Sequence, residues 1–329
     1  MKTDAASVEC RRCAKVWPIV DRVPYFVEEF PYWGEVPLAQ MRDINRRVQT
    51  NNWREVLKQS DDPAVQQAAT MVLNLDRANW HWLSNTPADA RVLDIGAGMG
   101  TNSHALSTYY REVVAVEPVE ERIRFMRQRF QQENLSNVSI IRGSVWTLPF
   151  QEESFDLAAL NGVLEWVPGG REDDPEACQE AALRRLHTLL RPGGSLYVGI
   201  ENRYCLGYFF GHPDPHCGLP FVTVLPRRLA HWYARRKGQN GYRNYLYSAA
   251  GYRKLLQKAG FTKVEIYVAL PSYNHPHFFI PLGAGLFSYY ARTFTSAPAH
   301  FLKRGLQTVL SKLGLLEHCG YSFAIIAKK

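Results

Sequence analysis

No apolar run in the 329 residues approaches the 18 to 20 or so needed to cross a bilayer, which excludes a helical membrane span. The opening Met1-Lys2-Thr3-Asp4 has no apolar stretch of the signal-peptide kind. A cytoplasmic protein is expected, with its six scattered cysteines reduced. Zinc ligands are also short at the N-terminus. Cys10 and Cys13 make one C-x-x-C knuckle, yet no other Cys or His occurs before His81, whereas a structural zinc takes four ligands. Acids are scarce in the last third: residues 203–329 hold 17 Lys and Arg against Asp214, Glu265 and Glu317, a net +14, while the remaining chain carries −6. That field either draws in phosphate, carboxylate or nucleic-acid charge, or is a solvated basic face. Nothing in the sequence fixes an oligomeric state.

Apolar content is sufficient, at 46%, for a core, and the length fits an α/β domain of about 200 residues with additions. The chain is organised around Val92-Leu93-Asp94-Ile95-Gly96-Ala97-Gly98-Met99-Gly100. Val92, Leu93 and Ile95 read as a buried parallel strand, and Thr101 to Tyr110 as a helix. A strand, a glycine turn and a helix start suit an anionic or nucleotide ligand. Glycines admit a close approach of the backbone, and the helix start presents unpaired N–H groups. Dinucleotide sites favour G-x-G-x-x-G, whereas here Gly96, Gly98 and Gly100 alternate.

This turn resembles motif I of the class I S-adenosylmethionine (SAM) dependent methyltransferases. Further matches stand at family spacing over about residues 85 to 202. Val113 to Pro118 is an apolar strand ending in Glu117, 23 residues after Asp94. Val138 to Arg142 leads into Gly143-Ser144-Val145. Ser154 to Val167 reads as a fourth strand and its end. Leu189-Leu190-Arg191-Pro192-Gly193-Gly194 precedes a strand over Ser195 to Ile200. The resemblance implies a Rossmann-like α/β fold with a seven-stranded sheet in the order 3-2-1-4-5-7-6, with N-terminal and C-terminal additions. It implies SAM as cofactor. Glu117 would accept the ribose hydroxyls beside Pro118, Gly96, Gly98 and Gly100 would admit the methionine part, and Asp94 would order the loop. Ser144 and Val145 would flank the adenine, with Asn161 at the end of strand 4. Many family members carry Asp where Ser144 stands.

The additions divide as follows. Residues 1–34 resemble half of a zinc-ribbon module, and residues 35–84 form a helical cover, with helices expected over 38–60 and 63–84. Residues 85–202 are the SAM-binding core, 203–247 a lid or substrate segment, and 248–329 the rest of the fold, with an insertion at 271–319. Trp53 would line a substrate mouth or simply pack. The helix Glu120 to Gln132 carries Arg122, Arg124, Arg127 and Arg129, expected on a solvated face. The apolar run from Phe278 to Tyr290 suggests a hydrophobic wall, a dimer face or a membrane-adjacent surface. Between Arg227 and Tyr247, basic and aromatic residues interleave, as nucleotide stacking or an amphipathic helix would require.

SAM carries an activated methyl, so the protein need only align an acceptor, exclude water and remove a proton. Candidates for proton removal are His216, His212, Glu201 and Glu165. Although His212, Asp214, His216 and Cys217 are potential ligands, methyl transfer from a sulfonium requires no metal and none is expected. The enclosed aromatic segment implies a small-molecule acceptor, a natural product or a sugar or glycan precursor, with phosphate or carboxylate on it where the basic third is used. An RNA methyltransferase is the alternative, favoured by the +14 charge. Against it, Asn161-Gly162-Val163-Leu164 stands where base-amino methylation would have Asn/Asp-Pro-Pro-Tyr. A non-catalytic partner with the same fold is a further alternative.

Overall fold

The computed structural model describes residues 2–3, 6–10, 13–27, 30–283, 286–287 and 301–329. Two compact units emerge, one of residues 1–160 with 188–195, the other of 161–187 with 196–329. Among the described residues no helix is long and apolar enough to cross a membrane.

The first unit begins with short antiparallel strands β1 (Lys2–Thr3), β2 (Ser7–Glu9), β3 (Val16–Val20) and β4 (Val23–Pro24). Its parallel layer contains β5 (Arg91–Ile95), β6 (Glu112–Glu117), β7 (Val138–Arg142) and β8 (Phe155–Asn161). β5 is central, pairing in parallel with both β6 and β8, and β6 pairs with β7. Strands covered on both faces need continuous apolar sequence, and Val113 to Val116 are all nearly fully buried. β9 (Leu190–Glu201) passes from the first unit into the second. The second unit adds β10 (Lys263–Ser272), β11 (His275–Pro281) and β12 (Ser322–Lys328), with β10 antiparallel to both of the others.

The hydrogen-bonded order is β11-β10-β12-β9-β8-β5-β6-β7. Read from β7, this is the expected 3-2-1-4-5-7-6 with one extra edge strand, β11. The sequence places Phe278 onward in an apolar run suited to a hydrophobic wall, a dimer face or a membrane-adjacent surface. In the structure residues 278–281 belong to β11, which pairs along β10 from Tyr267↔Pro281 to Ser272↔His275. Of that expected wall, residues 284–285 and 288–290 lie outside the described residues, as do 291–300 of the insertion. A helix follows at Phe301–Lys312.

Two expected helices are each interrupted. The first divides into Leu38–Arg47 and Trp53–Lys58, because the Asn52 side chain accepts from the Arg54 N–H and starts a new N-terminus. The second runs from Pro63 to Val72 and gives way to a 3-10 stretch, Leu75–Ser84, where Asn74 accepts from the Asp76 N–H. Asparagine side chains that bond nearby backbone favour such restarts over continuation. Trp53 is a packing residue, 1% exposed, with its indole N–H donating to Glu133 at 2.6 Å.

The helix Glu120–Gln132 corrects another expectation, since two of its arginines are inside. Arg129 is fully buried and Arg122 nearly so, paired with Glu35 at 2.6 Å. Their positions explain this: Arg122, Phe125, Met126, Arg129 and Phe130 recur at the i, i+3, i+4, i+7 spacing of a single inward stripe.

Candidate active site

In the first unit, β5 runs into the glycine turn, and Gly96, Gly98 and Gly100 all take positive φ, +67°, +59° and +79°. Their reasons differ. A Cβ at Gly100 would stand 2.7 Å from Met126 Cγ and 2.8 Å from Phe130 Cζ, so this glycine lets the helix Thr101–Ser107 pack. A Cβ at Gly98 would meet nothing nearer than 4.0 Å. Open space above a left-handed glycine is what a ligand laid along the backbone requires.

Two acids sit beneath this turn. Glu117, at the end of β6 and 2% exposed, accepts the N–H groups of Gly98 at 2.8 Å and Val119 at 3.1 Å. Burial pushes its pKa up against the opposing charge of Arg122 and these two N–H bonds. A carboxylate offers about four acceptor positions, so two remain for a ligand's hydroxyls. Asp94 is buried and accepts from Ser103 Oγ at 2.6 Å, so its bond goes to the following helix. Burial raises its pKa to about 6, opposed by Ser103 and the charge of Arg77.

Arg129 is a residue the sequence did not single out. Its Nη1 donates to the Met99 carbonyl at 3.0 Å and to Thr101 Oγ1 at 3.2 Å, and its guanidinium lies 4.3 Å from the Trp53 ring centre. It thereby ties the turn to the helix Glu120–Gln132. Burial lowers its pKa to about 9, which still leaves it charged at neutral pH.

Beyond β7 the backbone N–H of Ser144 donates to Thr147 Oγ1 at 3.0 Å, and Ser144 Oγ accepts the N–H of Trp146 at 3.3 Å. Val145 is buried, and the Pro118 carbonyl accepts from Arg142 Nε at 3.2 Å. Serine here shapes a local turn.

The second unit gathers three of the four expected proton-transfer residues. His216 Nε2 lies 3.5 Å from Glu165 Oε1 and 3.5 Å from Glu201 Oε2, while Asp214 Oδ1 lies 3.3 Å from Nδ1. All four side chains are at most 5% exposed. Asp214 is fixed by the N–H groups of His216 and Cys217, and Tyr273 donates to Glu201 Oε1 at 3.0 Å. Burial alone would push the His216 pKa down, but Asp214, Glu165 and Glu201 outweigh it and raise it far above the ordinary value. Burial raises Glu165.

His212 does not join them; it is exposed and stacks on Tyr208. Asn161 Oδ1 accepts from Tyr197 Oη at 3.0 Å. Gly199 is required beside this pair, since a Cβ there would collide with both atoms. Tyr273, which holds Glu201, was not read from the sequence as a site residue; Asp214, beside His216, was weighed there only as a potential ligand.

Residues 93–198 match the family described as "Methyltransferase domain". The chain is 32% identical over 172 residues to a ubiquinone biosynthesis O-methyltransferase of Xylella fastidiosa (strain M23), covering 52% of this chain and 65% of that one. It is 37% identical over 70 residues to the uncharacterized methyltransferase YcgJ of Bacillus subtilis (strain 168), covering 21% of this chain and 28% of that one. The chain thus spans less than two thirds of the length of these relatives. A solved SAM-dependent methyltransferase from Archaeoglobus fulgidus aligns with 82% of this chain and all of that one, at 15% identity and a TM-score of 0.49.

Proposed function

We propose that the protein is a class I, SAM-dependent methyltransferase that moves a methyl group from SAM to a small-molecule acceptor, a reading supported by the match of residues 93–198 to a methyltransferase domain. The observation that carries this reading is Glu117, a buried carboxylate with two backbone N–H bonds and spare acceptor capacity beside the open face of Gly98. When bound, SAM supplies a methyl already activated on a sulfonium. Glu117 holds its ribose, Gly96 and Gly98 admit the methionine part, and Pro118, Ser144 and Val145 flank the adenine. Gly100 and Asp94 support the turn through the helix that follows it, and Asn161 acts through Tyr197.

Glu165, Glu201 and His216 are the groups we assign to proton removal, the glutamates as the acceptors because the three carboxylates hold a proton on His216, with the exposed His212 a weaker candidate. Residues 203–247 serve as lid and substrate segment. A hydroxyl acceptor is supported by the O-methyltransferase relative, and an anionic group on it by the basic helix Arg227–Arg236. Within that class we favour a natural product or a sugar or glycan precursor, methylated in the cytoplasm.

Titration calorimetry with SAM and with its demethylated product tests the reading. Binding in the micromolar range is expected, and Glu117→Ala should weaken it at least tenfold, as loss of charge-assisted hydrogen bonds of about 1.5 to 3 kcal/mol implies. No binding by the unaltered protein would overturn the enzyme reading in favour of a non-catalytic partner. The excess positive charge of residues 203–329 keeps an RNA acceptor as the second reading. Methylation that appears only with RNA, and RNA affinity that falls steeply with salt, would favour it.

A further inference from the structure

Glu165, Glu201 and His216 each offer one ligand atom, and these atoms all lie within 4.8 Å of one another. From the geometry we infer that these three residues form a binding site for a divalent transition-metal ion of the zinc or manganese class, contrary to the sequence expectation that no metal is used.

Four observations carry it. The first is distance: at 3.5 Å, Nε2 is too far from either carboxylate oxygen for a good hydrogen bond. Ligands held about 2.1 Å from an ion at tetrahedral angles stand about 3.4 Å apart, close to the two separations between His216 and the glutamates. The second is that Glu165 is 1% exposed while neither of its oxygens has a hydrogen-bond partner, and Glu201 Oε2 is likewise unsatisfied. A buried carboxylate in that condition is costly unless an ion completes it.

Charge is the third. Three buried acids, Glu165, Glu201 and Asp214, face one imidazole, and no other cationic side chain pairs with them within 4.0 Å among the described residues. A dication supplies the missing positive charge. The fourth is the outer arrangement. Asp214 flanks Nδ1, leaving Nε2 turned to the glutamates, and Tyr273 holds the far oxygen of Glu201. Metal-bound histidines and carboxylates are commonly oriented in this way. Two carboxylates and an imidazole suit zinc or manganese, and three protein ligands leave a position for an acceptor oxygen, whose proton the ion would make easier to remove. The site rests on its own residues; only its use on an acceptor depends on the methyltransferase reading.

The test uses the full chain with Cys10→Ser and Cys13→Ser, so that the N-terminal thiols cannot contribute, after dialysis against a chelator. Mn2+ is titrated by electron paramagnetic resonance and Zn2+ by calorimetry. One equivalent of each should bind, with affinity at least tenfold weaker in Glu165→Gln and in Glu201→Gln. No binding, or affinity unchanged in both variants, would overturn the site. Should the variants misfold, anomalous scattering from Mn2+-soaked crystals of the unaltered protein decides. A peak among Glu165, Glu201 and His216 supports the site, and a peak only elsewhere or none removes it. SAM calorimetry on the metal-free sample separates the two readings. Metal bound without SAM affinity sinks the methyltransferase proposal alone, and SAM affinity without metal sinks the ion site alone.

Discussion

Gly100→Ala is expected to cost roughly 2 to 6 kcal/mol of stability and to remove SAM binding. The backbone at Gly100 has φ +79°, and a non-glycine residue held in the left-handed region costs about 1 to 3 kcal/mol. Its methyl would lie 2.7 Å from Met126 Cγ and 2.8 Å from Phe130 Cζ. Both side chains are buried on the helix Glu120–Gln132, so neither can swing into solvent, and overpacking adds about 1 to 3 kcal/mol. For a unit of this size the sum corresponds to a fall in melting temperature of roughly 4 to 24 °C. Gly98→Ala separates fold from function. Its methyl meets only Arg122 Nη1 and the Gly96 carbonyl, each at 4.0 Å, so only the backbone cost applies, yet it occupies the space assigned to the donor. Thermal melts and SAM calorimetry on both variants read the difference. If Gly98→Ala melts lower than Gly100→Ala, or binds SAM normally, the division of roles among these glycines is wrong.

The same turn shows why the sheet was legible and much of the site was not. Parallel strands buried on both faces must be apolar along their length, so β5, β6 and β8 stand out in the sequence, and a glycine at left-handed φ leaves its mark as glycine. The order of the strands followed from the family spacing. β11 was missed because an edge strand and a hydrophobic wall use the same apolar and aromatic residues; only its pairing with Tyr267 to Ser272 distinguishes them. Arg129 was hidden by its type. An arginine on a helix rich in arginines suggests a solvated face, and only the stripe it shares with Phe125, Met126 and Phe130 gives it away.

The cluster in the second unit lies between these cases. Glu165 and Glu201 follow or end strands β8 and β9, where α/β folds place ligands, so they could be nominated from the sequence. His212 and His216 could not be told apart. Their difference depends on how the chain from Gly207 to Pro220 folds back, with the Gly218 N–H bonded to the Asp214 carbonyl and the Asp214 N–H to that of Leu219. Those are contacts of a loop without periodicity, and no pattern of residue types specifies them.

Asp94→Asn is expected to stabilise the ligand-free protein near neutral pH and to leave it little changed near pH 4. Burial raises the folded-state pKa of Asp94 from 3.8 to about 6, so between those values the folded state holds a proton that the unfolded state has released. The stability this contributes is complete below about pH 4 and is lost as pH rises to 6. A gap of about two pH units between the folded and unfolded titrations corresponds to about 3 kcal/mol. The unaltered protein alone cannot display this, because His81 and His104, pushed down to about 4 by burial, titrate in the same range. Their folded pKa values lie below the ordinary 6.5, so their stability is present above that value and lost as pH falls, opposite in sign to Asp94. The difference between the variant and the unaltered protein cancels the histidines and isolates Asp94. Asparagine keeps an acceptor for Ser103 Oγ, which now donates to Asp94 Oδ2, while removing the buried charge. Urea unfolding at pH 4.5, 6 and 7.5 should show the gap in favour of Asp94→Asn widening with pH toward an upper bound of about 3 kcal/mol. A gap that is flat or narrows with pH would mean that Asp94 is held ionised in the fold at little cost. With the predicted widening, the acid below the turn carries a stability cost at the pH where the protein works, as charged groups retained for binding commonly do.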